Sequence, residues 1–132
     1  IKIAKYIYEK EMQPLFVLGP NEENLYSLLK KKTSYAKFPL QEINYKNSSP
    51  ENTILLARNC LLGISNDTGC GHLLAASNIP MLILYGPTSA EKFSPYTEGK
   101  SCFIESIKFG EKNIEKIPIE EVKKAIKKML RI

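Results

Sequence analysis

Ser65-Asn66-Asp67-Thr68-Gly69-Cys70-Gly71-His72-Leu73-Leu74-Ala75-Ala76-Ser77-Asn78 decides the fold of this 132-residue chain. It follows the apolar run Leu61-Leu62-Gly63-Ile64 and reads as a polar, glycine-containing turn leading into a small-residue helix. A second apolar run, Met81-Leu82-Ile83-Leu84-Tyr85, comes next, and then Gly86-Pro87-Thr88. The order predicts strand, turn, helix, strand, turn. In such a unit the turn and the helix start lie at the carboxyl edge of a parallel sheet, where open α/β folds bind ligands.

The first N–H groups of a helix have no acceptor within it and sit at the positive end of its dipole, so an anion such as a phosphate is stabilised there. Gly69 and Gly71 carry no Cβ and would let a ligand approach the backbone. Asp67 or Asn66 is placed to cap the helix. Thr68 and His72, four residues apart, would look out from one face and add a hydroxyl and an imidazole to the free donors. The same residues also make an ordinary turn and N-cap, and a lone histidine beside leucines is more often structural than catalytic. The spacing leaves both readings open.

Composition is that of an ordinary globular protein, with 43% hydrophobic and 25% charged residues. The length suits one domain with its own core. No apolar run approaches the roughly 20 residues that span a bilayer, and the opening stretch, charged and amphipathic, does not read as a secretory signal. The chain opens on the amphipathic Ile1-Lys2-Ile3-Ala4-Lys5-Tyr6-Ile7 without an initiator methionine, so it reads as a piece of something longer. Cys60, Cys70 and Cys102 match no disulfide framework or zinc spacing; no metal or cofactor is expected, and reduced thiols in a cytoplasmic setting are the simplest reading. The net charge of +5 gathers at Lys30-Lys31-Lys32 and on the last helix, at Lys123, Lys124, Lys127, Lys128 and Arg131. A lysine face opposite the apolar stripe Ile119, Val122, Ile126 and Met129 or Leu130 is usually a solvated surface, although it also suits an acidic partner or peripheral contact with an anionic membrane. Nucleic-acid binding has little support, because the basic residues are not interleaved with aromatics in any recognisable module.

Along the chain, residues 1–12 read as an amphipathic helix, Leu15-Phe16-Val17-Leu18 as a buried strand and Glu22 to Lys32 as a helix after the Gly19-Pro20-Asn21 break. Tyr35-Ala36-Lys37-Phe38 suggests a short strand, and Asn44 to Ser49 a polar loop. Ser49 caps and Pro50 opens a helix to about Asn59. Asn78 and Pro80 stop the central helix. An irregular stretch with Phe93-Ser94-Pro95-Tyr96 precedes an edge strand at Cys102-Phe103-Ile104, and Pro118 opens the final helix. The alternation implies a Rossmann-like parallel sheet with helices on both faces.

The run Ser65 to Tyr96 resembles the C-terminal domain of family 9 glycosyltransferases, the heptosyltransferases of the lipopolysaccharide inner core. The specific part is the turn Ser65-Asn66-Asp67-Thr68-Gly69 followed by His72, then Ala75-Ala76, the strand Met81 to Leu84 and Gly86-Pro87-Thr88. The segments Pro14 to Leu25 and Ile117 to Ile126 are similar to the family's earlier glycine turn and usual ending. Cys70-Gly71 departs from the family, which has Pro-Met or a similar pair there.

The resemblance implies a two-domain GT-B glycosyltransferase with its site in the cleft between Rossmann-like domains. This chain, 1–132, would be its C-terminal, donor-binding half, cut short at the N-terminal edge. Asp67, Thr68, Gly69 and His72 would then face the ADP-sugar donor, the backbone of 68–71, with Cys70 and Gly71, would hold the diphosphate, Glu22 or Glu23 would contact the nucleoside, and Thr88 would line the cleft. Transfer would be inverting and metal-independent. The catalytic base is expected in an N-terminal acceptor domain, so the fragment alone should not transfer sugar. The acceptor would be the lipopolysaccharide core, worked on in the cytoplasm at the inner face of the inner membrane. Competing readings are a nucleotide-sugar epimerase, which needs no acceptor, and a non-enzymatic α/β interaction domain, which would leave ADP unbound.

Overall fold

A computed structural model describes residues 1–42, 49–88 and 101–132. The chain divides into two compact units, Ile1–Thr53 and Ile54–Ile132. Most of the expected polar loop from Asn44, and the irregular stretch with Phe93-Ser94-Pro95-Tyr96, lie outside the described residues.

In the first unit, helix α1 (Lys2–Glu9) buries Ala4 and Tyr6. It stops short of the expected residue 12 because Glu11 turns left-handed, at φ 59, and the residue ahead of Pro14 is disfavoured in helical conformation. The expected strand at Leu15 to Leu18 and the suggested one at Tyr35 to Phe38 reduce to a single parallel bridge, Leu15 to Lys37. Its rungs are Lys37 N–H to Pro14 O, 3.0 Å, and Phe16 N–H to Lys37 O, 2.9 Å. The ladder cannot lengthen: Pro14 offers no donor at one end, and a short helix, α3 (Pro39–Glu42), begins two residues after Lys37 at the other. Aromatic packing holds the segment in place. Phe38 is fully buried, stacks on Phe16 at 5.1 Å and meets the Tyr26 ring edge-on at 5.2 Å. A 3₁₀ turn (Pro20–Glu22) leads into α2 (Glu23–Lys32), so the α-helix starts one residue later than expected.

Helix α4 (Pro50–Ala57) runs across the division between units, with Ser49 Oγ accepting from Asn52 N–H at 3.4 Å. It ends before Asn59, where the chain turns through Cys60 N–H to Ala57 O, 2.8 Å.

The second unit carries a three-stranded parallel sheet in sequence order: β1 (Gly63–Asn66), β2 (Met81–Tyr85) and β3 (Ser101–Glu105). Gly63 pairs with Met81 and Asn66 with Leu84; Met81 pairs with Ser101 and Tyr85 with Glu105. Helix α5 (Gly69–Ala76) connects β1 to β2 and packs on both, and α6 (Ile119–Leu130) lies against β3. The central strand β2 has a partner on each side, so it is apolar nearly throughout, as buried parallel strands are. Met81, Leu82 and Tyr85 are fully buried, and Met81, Ile83 and Tyr85 form one cluster with Ala57, Ala75 and Ile79. Asn78, left-handed at φ 59, ends α5 as expected and lets Pro80 lead directly into β2. Val122 and Ile126 supply the buried stripe of α6. Its first turn carries Glu120 and Glu121, paired with Lys123 and Lys124 at 2.8 and 2.6 Å, so the expected lysine face is partly neutralised. Among the described residues no helix is long and apolar enough to cross a membrane.

Truncating Met81 to alanine opens a cavity in this cluster. We expect a loss of about 2–5 kcal/mol in urea unfolding, whereas Leu61→Ala, at an exposed position, should change stability by less than about 0.5 kcal/mol.

Candidate functional site

The carboxyl edge of the sheet is assembled by register. Asn66 and Leu84 are paired on adjacent parallel strands, so the chain leaves β1 and β2 at neighbouring points, about 4.8 Å apart. The turn Asp67-Thr68 and the turn Gly86-Pro87-Thr88 therefore lie side by side.

Thr68 occupies the N-cap of α5, extended at φ −144 and ψ 164, and its Oγ1 accepts from Gly71 N–H at 3.3 Å. This corrects the expectation that Asp67 or Asn66 caps the helix. The helix begins at Gly69, so Asn66 still belongs to β1 and Asp67 falls one residue too early. Ser65 Oγ donates to Asn66 O at 2.7 Å and lies 3.5 Å from Thr68 Oγ1, bracing the turn from the strand side. With the cap taken by Thr68, the half-buried Asp67 carboxylate makes no hydrogen bond or ion pair among the described residues.

The two glycines of the turn do different work. A Cβ on Gly71 would sit 2.8 Å from Ser65 Oγ and 2.9 Å from Asn66 O. Gly71 is buried and is a glycine because α5 approaches β1 closely there; it serves packing, not ligand approach as expected from the sequence. A Cβ on Gly69 would meet nothing within 4 Å, and its φ is not in the left-handed range. Glycine is a poor helix former, so the fold gains nothing from it at this exposed helix start.

The donors are fewer than the sequence suggested. Gly71 N–H is held by Thr68 Oγ1, and His72 N–H by Thr68 O at 3.3 Å. The amide of Gly69 has no acceptor among the described residues. The His72 side chain is exposed and Cys70 half-buried. Thr88 is half-buried on the neighbouring turn.

Glu22 and Glu23 belong to the first unit. Glu22 turns back and accepts from Gly19 N–H with Oε2 at 2.8 Å, closing its own 3₁₀ turn. Glu23 opens α2, exposed, with no partner among the described residues. Two further residues shape the edge. Ser65, quoted in the family turn but given no role there, braces the cap through local contacts. Ser106, which sequence reasoning passed over, is fully buried after β3 and donates to Gly86 O at 3.1 Å. It has no local sequence signal, since its contact is one that the tertiary fold creates. Elsewhere, burial pushes the Cys60 thiol up from its ordinary value, away from the reactive thiolate.

A parallel sheet with a capped helix start at its carboxyl edge defines an open α/β unit. The family model of glycosyltransferase family 9 (heptosyltransferase) matches residues 13–121, and the chain belongs to that family. Lipooligosaccharide heptosyltransferase 2 of Haemophilus influenzae is 40% identical over 52 residues, which are 39% of this chain and 15% of that protein. The solved structure of E. coli heptosyltransferase WaaC with ADP superposes with a TM-score of 0.76 at 20% identity, covering 97% of this chain and 37% of that one. E. coli ADP-heptose lps heptosyltransferase II superposes with a TM-score of 0.76 at 21% identity, covering 98% of this chain and 39% of its own. The fold is thus the parallel α/β fold of the GT-B heptosyltransferases, and the chain spans well under half of these relatives.

The contrast between the glycines is measurable. Gly71→Ala should lower stability by about 1–3 kcal/mol, because backbone Asn66 O cannot move aside. Gly69→Ala should leave stability unchanged or slightly raised. Thr68→Ala should cost about 1 kcal/mol through loss of the cap, and Thr68→Ser should restore most of it. Chemical denaturation reads all four variants.

Proposed function

We propose that this chain is the donor-binding part of a heptosyltransferase that moves a heptose, or a related sugar, from an ADP-activated donor to the lipopolysaccharide inner core. Gly69 carries the reading. Its missing Cβ and its unused amide have no purpose inside the fold, yet they stand at the positive end of a helix at the edge where α/β folds bind ligands. Family membership supplies the chemistry: one structural neighbour is described as holding ADP, and another is named for ADP-heptose.

In this reading a phosphate of the donor takes the Gly69 amide, with Thr68 fixing the helix start behind it. As the sugar–oxygen bond breaks, negative charge builds on the diphosphate. A preoriented amide and helix dipole stabilise that charge where it develops, so no metal is called for. Asp67 cannot share a face with a diphosphate without repulsion. Its open carboxylate is instead suited to accept hydrogen bonds from sugar hydroxyls. His72 and Thr88 flank the same edge. Of the two carboxylates the family resemblance offers for the nucleoside, Glu23 has no partner among the described residues, whereas Glu22 closes its own turn. The base that activates the acceptor comes from an N-terminal domain. Inversion at the sugar carbon follows from attack on the face opposite the departing diphosphate. The work is placed on the cytoplasmic side of the membrane that holds the acceptor.

Calorimetric titration of ADP and of an ADP-heptose donor into the chain tests this. Gly69→Val should weaken both ligands by about tenfold or more, equivalent to about 1.4 kcal/mol. Asp67→Ala should weaken the sugar donor while leaving ADP unchanged or slightly tighter. Unchanged ADP affinity in Gly69→Val, with wild-type binding intact, would overturn the placement of the diphosphate.

A further inference from the structure

The turn Gly86-Pro87-Thr88 is held from behind by the segment that follows β3. Ser106, first residue of a 3₁₀ turn (Ser106–Phe109), is fully buried, and its Oγ donates to Gly86 O at 3.1 Å across twenty residues of sequence. Gly86 is itself buried. The chain then reverses at Gly110, which is left-handed at φ 88, and comes back over the same spot. A Cβ on Gly86 would lie 3.3 Å from Lys112 O and 3.4 Å from both Ile114 N and Ile114 Cβ. A second 3₁₀ turn (Ile114–Lys116) starts there, with Asn113 Oδ1 accepting from Glu115 N–H at 3.0 Å. Gly86 is therefore a glycine because a strap of backbone crosses it, and its carbonyl is fixed by a buried hydroxyl.

From this geometry we infer that Ser106 is a positioning residue for the donor site: its hydroxyl, together with the 110–114 strap, fixes the Gly86–Thr88 turn beside the Gly69 helix start. The inference rests on the donor-site reading given above. Parallel register brings the two turns to adjacent points of one edge, about 4.8 Å apart. A diphosphate with its sugar is longer than that spacing, so a donor bound at Gly69 and lying along the edge also meets the turn after β2. A turn anchored by its own carbonyl presents Thr88 at a set height and loses little freedom on binding. Without Ser106 Oγ, Gly86 O is left buried and unsatisfied, and the turn is free to lift toward water to hydrate it.

The test uses Ser106→Ala and Gly86→Ala in the chain, titrated with ADP while amide resonances are followed by NMR. Wild type should show ADP-induced shifts at both Gly69 and Thr88. In Ser106→Ala the Gly69 shift should persist, the Thr88 shift should collapse, and ADP affinity should fall about three- to tenfold, the worth of one hydrogen bond. Gly86→Ala, which pushes the turn from the strap side, should give the same split. If Ser106→Ala lowers the melting temperature but binds ADP with unchanged affinity and an intact Thr88 shift, the serine is merely structural and the inference fails. If wild type shows no shift at either residue, the donor-site reading itself has failed, an outcome distinct from the first. A variant too unstable to give a folded spectrum leaves Gly86→Ala to decide by the same two readouts.

Discussion

The in-register parallel pairing of β1, β2 and β3 governs everything else in the second unit. It brings the ends of three strands to one edge and sets Asn66 beside Leu84 and Tyr85 beside Glu105. Three chain exits must then be accommodated within a few strand spacings, and each is solved differently. After β1 the chain turns at once into a helix capped by Thr68. After β2 it turns at a glycine overlain by backbone. After β3 a buried serine reaches back to the middle exit. The carboxyl edge is consequently a packed object rather than three independent loops. This is why the buried Gly71 and Ser106 carry weight in its shape.

The helix start of α5 leaves few groups unengaged. Capping consumes the Gly71 amide, and helix bonding consumes that of His72. What remains outward, among the described residues, is one bare glycine with an unused amide, the aligned peptide dipoles behind it and an open carboxylate next door. The Thr68 hydroxyl, which the sequence offered as a ligand group, is already engaged in holding the helix start. That division of labour separates the residues that fix the turn (Ser65, Thr68, Gly71) from those that face outward (Asp67, Gly69, His72).

Much of this was legible in the sequence where a single physical requirement dominates. Met81 to Tyr85 could be read because a strand with partners on both sides must be apolar on both faces. Asn78 and Pro80 could be read because stopping a helix has few solutions. The strand–turn–helix order placed Gly69 and Asp67 at the carboxyl edge of the sheet. Other features were hidden because the deciding contact is tertiary. Leu15 to Leu18 is as apolar as β2, yet a proline before it and a helix after its partner limit the ladder to one bridge. Gly69 and Gly71 look alike in sequence; only the space beside each Cα shows that one serves the packing of α5 on β1 and the other does not. The cap moved from Asp67 to Thr68 because β1 runs two residues further than its apolar stretch, through Ser65 and Asn66. Ser106 carries no signal at all until β3 is seen beside β2.

A crystal structure of the chain soaked or grown with ADP would test the central claim most directly. A diphosphate oxygen is expected within about 2.7–3.2 Å of the Gly69 amide nitrogen, on the axis of α5, with the turn at Gly86 to Thr88 alongside. Well-defined nucleotide density elsewhere, with the Gly69 amide facing only solvent, would contradict it.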